Sequence, residues 1–533
     1  MPNSRSYLRT PQLVPKSDLL RPNPRVSHVA RSSLLIAGFF AVDKILGLFR
    51  QAIIGRQFGL SSELDAFNAA NNLPDLLFAI ISGGALSIAL IPVLSSTLEK
   101  EGREEVWKLF SRVLNWAFLL TGSAALIFAV LARPIVTAEI GVAPGFTPEL
   151  QSLVIDLMRI NLIATMIFSL SGLASASLQT HQHFLLPALA PIVYDGGQIL
   201  GAIFLAPESG YRLGNLELPT AGLGVHGLVY GVVIGAILHL AVQLPGLKKY
   251  GFRWFPKLGI DHPGLRAVAR LMGPRILTIG AFQLIFLVQD NLASRMDVGS
   301  VTALTYGWLI LQVPETIIAT AIGIAILPTL SKFFAAGDAQ SFEASVRRAL
   351  RILLALTIPA TVLLSIVLRP FIAAAFGFGA SETELVYRAA QAYLLGLAGQ
   401  SLVEVAARAF YARQDARIPL AASLLNVASF IILSLLLFRR FGPVGIGISV
   451  SLAFSMEALF LVILLRTQYP KILDHGRAIR RIVLGSITGG LTAYVLLNAL
   501  PGPGLIIASL ALLAGGIAAL PFIWPELRQM IKL

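Results

Sequence analysis

The chain has 533 residues, of which 56% are hydrophobic and only 13% are charged. Soluble domains carry about 25% charged residues, so the composition excludes a soluble multidomain protein and indicates a polytopic membrane protein. The absence of cysteine excludes disulfides, thiolate metal sites and cysteine nucleophiles. The 42 Lys and Arg exceed the 28 Asp and Glu, but they fall mostly in short loops between apolar runs, where they set membrane topology rather than bind nucleic acid.

In chain order, residues 1–30 come first, with several basic residues and almost no hydrophobic pattern, which predicts a disordered basic tail near anionic lipid. A bilayer crossing needs about 20 apolar residues, and by this rule the remaining chain predicts an all-α protein with about fourteen transmembrane helices. The predicted helices lie near 33–56, 65–95, 107–132, 150–179, 184–206, 222–245, 265–290, 299–330, 345–368, 384–410, 418–438, 443–465, 480–500 and 503–524.

An internal repeat relates the first six helices to the second six. Leu-Pro and Val-Pro pairs, Pro-Xaa-Leu-Ser segments, Arg-Pro pairs and Gln residues recur in the same order, at offsets that drift slowly from 240 to 232. The matching positions are Pro74 and Pro314, Pro92 and Pro328, Pro134 and Pro370, and Gln182 and Gln414. Because each copy holds an even number of helices, the copies share one orientation, and the substrate site of such a transporter is expected between them.

This repeat divides the predicted protein into five parts. They are the basic cytoplasmic tail, an N-terminal six-helix lobe, a cytoplasmic linker, a C-terminal six-helix lobe and two additional helices, at residues 1–30, 31–247, 248–263, 264–466 and 467–533. Basic residues collect in alternate loops, so the positive-inside rule places both termini in the cytoplasm. The pair Arg439-Arg440 falls on the opposite side and departs from the rule.

Polar residues form one stripe on each of the first two predicted helices. At about 100° per residue, Asp43, Lys44 and Arg50 fall within one third of the first helix circumference. A similar stripe on the second helix consists of Asp65, Asn68, Asn72 and Asp75. Charges inside a membrane are functional candidates by default, so the two stripes predict the walls of a hydrated cavity.

Structural interpretations of these charges stay open. Asp43, Lys44 and Arg50 could simply neutralise one another and fix helix packing. Arg56 points away from the stripe and is interpreted as extending to the membrane interface. Asp195 lies in an apolar span, and Asp290 lies near the end of another. Each could bind a coupling cation or serve as a helix-packing carboxylate.

Motifs of enzymes are missing from the sequence. No lysine follows a glycine, which rules out a Walker A loop, and the seven histidines never form HExxH. No aspartate-rich pair of the kind that holds magnesium on a prenyl diphosphate occurs. We therefore expect a non-enzymatic protein without a cofactor or a metal site.

Several segments resemble the MurJ (MviN) family of the multidrug/oligosaccharidyl-lipid/polysaccharide exporter superfamily. They are the run from Lys44 to Arg50, the Asp65-Ala-Phe segment, Leu73-Pro74-Asp75, and the string from Arg408 to Pro419. The resemblance covers roughly residues 30–525. It implies two facing, pseudo-symmetric six-helix lobes plus two C-terminal helices, in agreement with the predicted helices and repeat.

The resemblance also implies a function. It implies flipping of lipid II, the undecaprenyl-diphosphate-linked peptidoglycan precursor, from the inner to the outer leaflet of the bacterial cytoplasmic membrane by alternating access. A cationic cavity would hold the diphosphate and sugar, and the two C-terminal helices would form a groove for the polyprenyl tail. The implied partners are lipid II or a related polyprenyl-diphosphate glycolipid, membrane lipids and the cell-wall synthesis machinery.

Carried over by position, Lys44 and Arg50 match family arginines near the diphosphate, and Asp65 matches an acidic cavity position. Asp75 takes the place of a polar residue after the Leu-Pro pair, and Asp43 completes the stripe. We hypothesise that Asp65 orients Lys44 or Arg50. Phe78 and Leu309 stand where family members carry further cavity arginines.

These two departures keep other functions open. A flippase for another polyprenyl-linked oligosaccharide is the first alternative, and a cation-coupled drug antiporter of the same superfamily is the second. A membrane-embedded transferase and a non-transporting scaffold for cell-wall machinery are the remaining ones.

Overall fold

The computed structural model describes residues 24–80, 85–213, 216–474 and 476–529. Most of the predicted basic tail lies outside these residues, but its last part does not, because helix α1 already begins at Pro24. The regular secondary structure of the described residues is helical apart from two strands of two residues each. The predicted all-α polytopic membrane fold is therefore confirmed.

The first half of the chain folds into ten helices and one short hairpin. The helices are α1 (Pro24–Phe58), α2 (Ser62–Ala70), α3 (Asn72–Phe78), α4 (Ala85–Lys100), α5 (Arg103–Val130), α6 (Ala132–Thr137), α7 (Pro148–Thr180), α8 (Leu185–Leu200), α9 (Val225–Ala241) and α10 (Leu244–Lys249). A π-helical turn, Gly201–Leu205, extends α8. The antiparallel strands β1 (Arg212–Leu213) and β2 (Leu216–Glu217) lie between α8 and α9.

The second half repeats this order without the hairpin and adds two helices. Its helices are α11 (Pro263–Ala293), α12 (Ser300–Glu315), α13 (Ala321–Ala335), α14 (Ala339–Phe376), α15 (Ala380–Leu394), α16 (Leu397–Ala412), α17 (Arg417–Gln468), α18 (Gly476–Ala499) and α19 (Gly504–Leu527). A π-helical turn, Thr316–Thr320, joins α12 to α13, and a 3-10 turn, Pro470–Leu473, follows α17.

Nine helical segments of the described chain are long and apolar enough to cross a membrane by length and composition alone. One of them, α17, contains two crossings. Asn426 Nδ2 donates to Glu457 Oε2 over 2.8 Å, whereas 31 residues of straight helix would separate them by about 46 Å. The chain therefore folds back at Gly442, whose φ of 56° and ψ of −139° are not helical.

Turns with left-handed backbone conformations mark the internal repeat. Glycine tolerates such positive φ values best, yet Gln182 and Gln414 share a φ of 59° at the predicted offset of 232. The same correspondence relates Gly59 to Gly299, Gly102 to Gly337 and Gly224 to Gly442. The last offset falls to 218 because only the first half carries the hairpin loop. Matching turns in matching order support the proposed division into two parallel halves.

The linker between the halves docks on the first half. Trp254 Nε1 donates to Asn115 Oδ1 over 2.8 Å, and Phe255 N donates to Ser111 Oγ over 3.1 Å, both on α5. Trp116 Nε1 in turn donates to the carbonyl oxygen of Leu258 over 2.9 Å. The linker therefore belongs structurally to the first half, up to the start of α11.

Helices α8 and α9 approach each other backbone to backbone. A Cβ added at Gly197 would lie 2.4 Å from Gly235 Cα, and one at Gly201 would lie 2.5 Å from Gly231 Cα. Small residues allow such close contact between membrane helices. The contact fixes the side chains that α8 and α9 present to the interior between the halves.

We predict that Gly197→Ala destabilises the protein by about 1–3 kcal/mol, because its new methyl group overlaps the backbone of α9. Gly196→Ala is the matched control, since a Cβ there meets nothing within 4 Å. The thermal unfolding midpoint of the purified variants measures the difference. Equal midpoints for the two variants would show that α8 and α9 can separate without cost.

Candidate functional site

A polar cavity of about 590 Å³ lies between the two halves. The first half contributes Arg50, Asn72 and Asp75 to its wall, and the second half contributes Asp290 and Trp308. This is where the repeat predicted a substrate site. The cavity brings together Arg50 and Asp75 of the predicted site residues.

The second predicted helix is interrupted beside the cavity. Helix α2 ends at Ala70 and α3 begins at Asn72, two residues before Pro74, which has no amide hydrogen to donate. Asn71 lies at the interruption, and its side-chain oxygen accepts a hydrogen bond from Asn161. The break thus presents backbone and asparagine side chains to the cavity.

Carboxamides dominate the polar part of the cavity wall. Each can donate and accept hydrogen bonds, which suits sugar hydroxyls and peptide groups. Gln198 Nε2 is buried and has no hydrogen-bond partner among the described residues. The carboxamides that line the cavity are Gln51, Asn68, Asn71, Asn72, Asn161, Gln198, Gln283 and Gln289.

Sequence reasoning found only the two asparagines of the α2–α3 stripe. Of the others, Asn71 lies at the interruption and the remaining five lie on four further helices, so no pattern within one helix identifies them. The run of asparagines from 68 to 72 was the available signal, since three of its five residues carry amides.

Arg50 pairs with Asp195 across the cavity wall. The Nη1 atom of Arg50 lies 2.8 Å from Asp195 Oδ1, and the two side chains are 18% and 7% exposed. The sequence left open whether Asp195 binds a coupling cation or serves in helix packing. In the structure its carboxylate pairs with the guanidinium of Arg50. This pair also shows that Asp43, Lys44 and Arg50 do not form a closed neutral group.

Asp43 and Lys44 lie outside the cavity wall, about 9 Å along α1 from Arg50. Lys44 Nζ is 3.9 Å from Asp43 Oδ2, and the lysine side chain is 73% exposed. The predicted stripe of α1 therefore divides into a cavity residue, Arg50, and a pair closer to the N-terminus of the helix, of which Lys44 is exposed and Asp43 is half-buried.

Asp65 binds the start of a helix in the opposite half. Its carboxylate accepts hydrogen bonds from Gly299 N over 2.6 Å, Thr302 N over 2.7 Å and Thr302 Oγ1 over 2.6 Å. A carboxylate at a helix N-terminus satisfies unpaired amide groups and interacts favourably with the helix dipole. The hypothesis that Asp65 orients Lys44 or Arg50 is wrong, because these bonds occupy a side chain that is only 2% exposed.

Two further contacts join the halves near Asp65. Arg56 donates to the carbonyl oxygens of Ala374 and Ala375 at the end of α14, over 2.6 and 3.0 Å. Leu60 N donates to Glu382 Oε1 over 2.9 Å. Arg56 is exposed and binds the other half through these bonds, and its position at the membrane interface stays a prediction. We call Asp65, Arg56 and Glu382, with these partners, the latch.

The two positions without the family arginines differ in their surroundings. Phe78 lines the cavity, is 36% exposed and packs edge-on against Phe168 at 5.1 Å between ring centroids. Leu309 packs against the hydrophobic core. Within the described residues, no group of three or more His, Asp or Glu side chains could hold a metal ion.

Comparisons with known proteins agree with this geometry. The sequence profile of the family described as "Lipid II flippase MurJ" matches residues 54–502. A curated protein of Burkholderia cenocepacia with the name "Lipid II flippase MurJ" is 29% identical over 464 residues, which cover 82% of this chain and 84% of that protein.

Two solved structures share the fold. One is described as "Lipid II flippase MurJ, inward closed conformation"; it has 24% sequence identity and a TM-score of 0.76, and the match covers 93% of this chain and all of that one. The other is an inward-facing multidrug resistance MATE family transporter of the MOP superfamily, with 14% identity, a TM-score of 0.67 and coverage of 80% and 96%.

We predict that Asp65→Asn opens the halves at the latch, because hydrogen bonds to a charged group contribute about 1.5–3 kcal/mol each. The population open at that end should rise at least about tenfold. Since the chain has no cysteine, Gln283→Cys places a single thiol in the cavity. Its labelling by an impermeant maleimide on the latch side of sealed vesicles reports the opening.

Glu63→Gln is the control for this experiment. Glu63 lies on the same helix, is exposed, and bonds only to Ser62 in the described chain. Equal labelling rates in Asp65→Asn and Glu63→Gln would mean that Asp65 does not hold the halves together.

Proposed function

The chain belongs to the MurJ family, and from this premise we propose that it moves lipid II from the inner to the outer leaflet by alternating access of its two halves. The observation that carries the proposal is the polar cavity enclosed between two parallel repeats. A carrier of this kind needs a polar site reached in turn from each side of the membrane.

The cavity wall suits the two parts of a lipid-linked glycopeptide. Arg50 supplies a guanidinium for phosphate oxygens, to which arginine makes paired hydrogen bonds. Lys44, exposed on the same helix, offers a mobile point charge, with Asp43 as its resting partner. The carboxamides suit the sugar and peptide, and Asp75 faces the same space as an acceptor.

The polyprenyl tail is assigned to the last two helices. Helices α18 and α19 pack on each other and on α14, where Leu363 and Val367 contact Ala493 and Ala508. Their outer surfaces expose large apolar side chains such as Leu491 and Ile517. An apolar chain longer than the cavity can remain in contact with this surface while the headgroup crosses.

We further propose that the protein lies in the bacterial inner membrane with both termini in the cytoplasm. The latch then lies on the outer side and closes the cavity there. An exit at the outer leaflet would deliver lipid II to the cell-wall synthesis machinery, which is the proposed partner on that side.

A flippase for a different polyprenyl-linked oligosaccharide is the second candidate. Phe78 favours it, because an aromatic ring occupies a cavity position at which the family resemblance leads us to expect arginine. Aromatic faces pack on apolar faces of sugars, so a substrate with another glycan would find a different surface here.

Growth of a bacterium depleted of its own lipid II flippase tests the proposal. The wild-type chain should restore growth, and Arg50→Ala should abolish it at equal membrane abundance, because the phosphate contact is lost. Arg103→Ala, an exposed change at the start of α5, serves as the control. No growth with the wild-type chain, when it is present in the membrane, would favour the second candidate.

We predict that Phe78→Arg strengthens binding of undecaprenyl diphosphate by about tenfold or more, since a charge-assisted hydrogen bond contributes about 1.5–3 kcal/mol. Phe78→Leu should leave phosphate binding unchanged, because it adds no charge. Affinity measured on purified protein separates the variants. Unchanged affinity in well-folded Phe78→Arg would place the diphosphate elsewhere in the cavity.

A further inference from the structure

The cation in the cavity wall already has an anionic partner. Asp195 Oδ1 accepts from Arg50 Nη1 over 2.8 Å. A phosphate group would seek the same guanidinium, with the same planar, paired geometry that a carboxylate uses. Substrate and Asp195 are therefore competitors for one group.

Asp195 and the charged groups around it carry together more negative than positive charge. Helix α1 presents Asp43, Lys44 and Arg50 to it, and α3 presents Asp75 on the far side of Arg50. Tyr194 lies beside Asp195 on the same helix and packs edge-on against His239 of α9, whose Nδ1 is 2.5 Å from Ser171 Oγ. Three carboxylates thus face two cations before any substrate enters.

Asp195 has little freedom to move away from Arg50. Its side chain is 7% exposed, and a Cβ at Gly47 of α1 would already lie 3.6 Å from its Oδ2. The close contact of α8 with α9 holds the other side of its helix. If phosphate takes the guanidinium, Asp195 becomes a buried carboxylate without a counter-charge, and such groups take up a proton instead.

We propose that Asp195 competes with the substrate diphosphate for Arg50, and that binding of the diphosphate is accompanied by uptake of one proton by Asp195. This inference rests on the proposed function above. The proton comes from water on the side to which the cavity is open and adds to a carboxylate oxygen, and no other bond changes. It removes one negative charge from the loaded cavity while the halves reorient.

The competition also explains how the carrier resets. When the substrate leaves, Asp195 releases its proton and pairs again with Arg50, so the phosphate is displaced by a group of the protein. The empty cavity then holds a neutral pair in place of a bare guanidinium. Reorientation without substrate therefore exposes no unpaired cation at position 50 to the membrane interior.

The pH dependence of undecaprenyl diphosphate binding tests the proposal on the purified full chain. Between about pH 6 and 8.5, each rise of one pH unit should weaken wild-type binding by up to about tenfold, because one proton is taken up with the ligand. This loss comes in addition to any effect of the titration of the ligand itself. Asp195→Asn should lack this extra slope and bind at least about tenfold more tightly at pH 8. Comparing the two variants cancels the titration of the ligand.

Glu457→Gln is the matched control, because Glu457 is another buried carboxylate, held by Asn426 and Ser423 away from the cavity. It should keep the wild-type slope. Calorimetry of the wild-type chain in two buffers with different ionisation enthalpies counts protons directly, so the proposal stays testable even if Asp195→Asn does not fold. About one proton per ligand is expected near pH 8.

Three results would overturn the proposal in distinguishable ways. Identical slopes for wild type and Asp195→Asn, or no proton uptake by the wild type, would show that Asp195 releases Arg50 without taking up a proton. Asp195 would then find another partner, for example Lys44. A loss of binding in well-folded Asp195→Asn would show that Asp195 assists the phosphate. Absence of wild-type binding at every pH, for lipid II as well, would remove the proposed function itself.

Discussion

A charged side chain inside a bilayer has to find its partner within the protein, because the surrounding lipid offers none. This constraint organises the interior of the molecule. Arg50 finds Asp195, Asp65 finds the amide groups at the start of α12, and Arg56 finds the carbonyl groups at the end of α14. The first pair lies within one half, whereas the other two join the halves. Where a partner is located therefore decides whether a charge serves the cavity or closes the molecule.

The latch works through helix ends. A carboxylate at the N-terminus of α12 and a guanidinium at the C-terminus of α14 both complement the helix dipole. Such contacts stabilise the closed end through a few directional bonds, and they separate cleanly when the halves rotate. Apolar contacts at this end, such as that of Gly55 with Phe376, would be exposed and buried again in every cycle. A few directional hydrogen bonds are thus a suitable addition to these contacts in a carrier that has to open at this end.

The sequence predicted the fold well because its determinants are local. Apolar runs of about 20 residues predict the helices, because the bilayer fixes the helix length. Paired prolines and the turns at Gln182 and Gln414 indicate the internal repeat. The site was predicted only in part. The angular position of Asp65 on an ideal helix was compatible with the cavity, but its contact with Gly299 depends on a segment more than 230 residues away. The contact of Arg56 with the end of α14 likewise joins segments more than 300 residues apart. The partner of Arg50, 145 residues distant, could be named only as one of several isolated aspartates.

The cavity wall carries Arg50 but lacks the two further arginines expected from the family resemblance, and this lowers the positive charge available to a phosphate. A cavity with several unpaired guanidinium groups would hold a diphosphate strongly and release it slowly, since each charge adds to the same attraction. Here Phe78 occupies one such position and Asp195 neutralises the cation that remains, while carboxamides cover much of the rest of the wall. Under the proposed function, binding energy is thereby moved from the phosphate to the sugar and peptide, whose hydrogen bonds are weaker singly and more specific together. A carrier that has to release its cargo on the far side benefits from this distribution, because many weak contacts break in sequence as the halves separate. One strong ionic contact instead needs a competitor, such as the proposed one, Asp195, to displace the substrate.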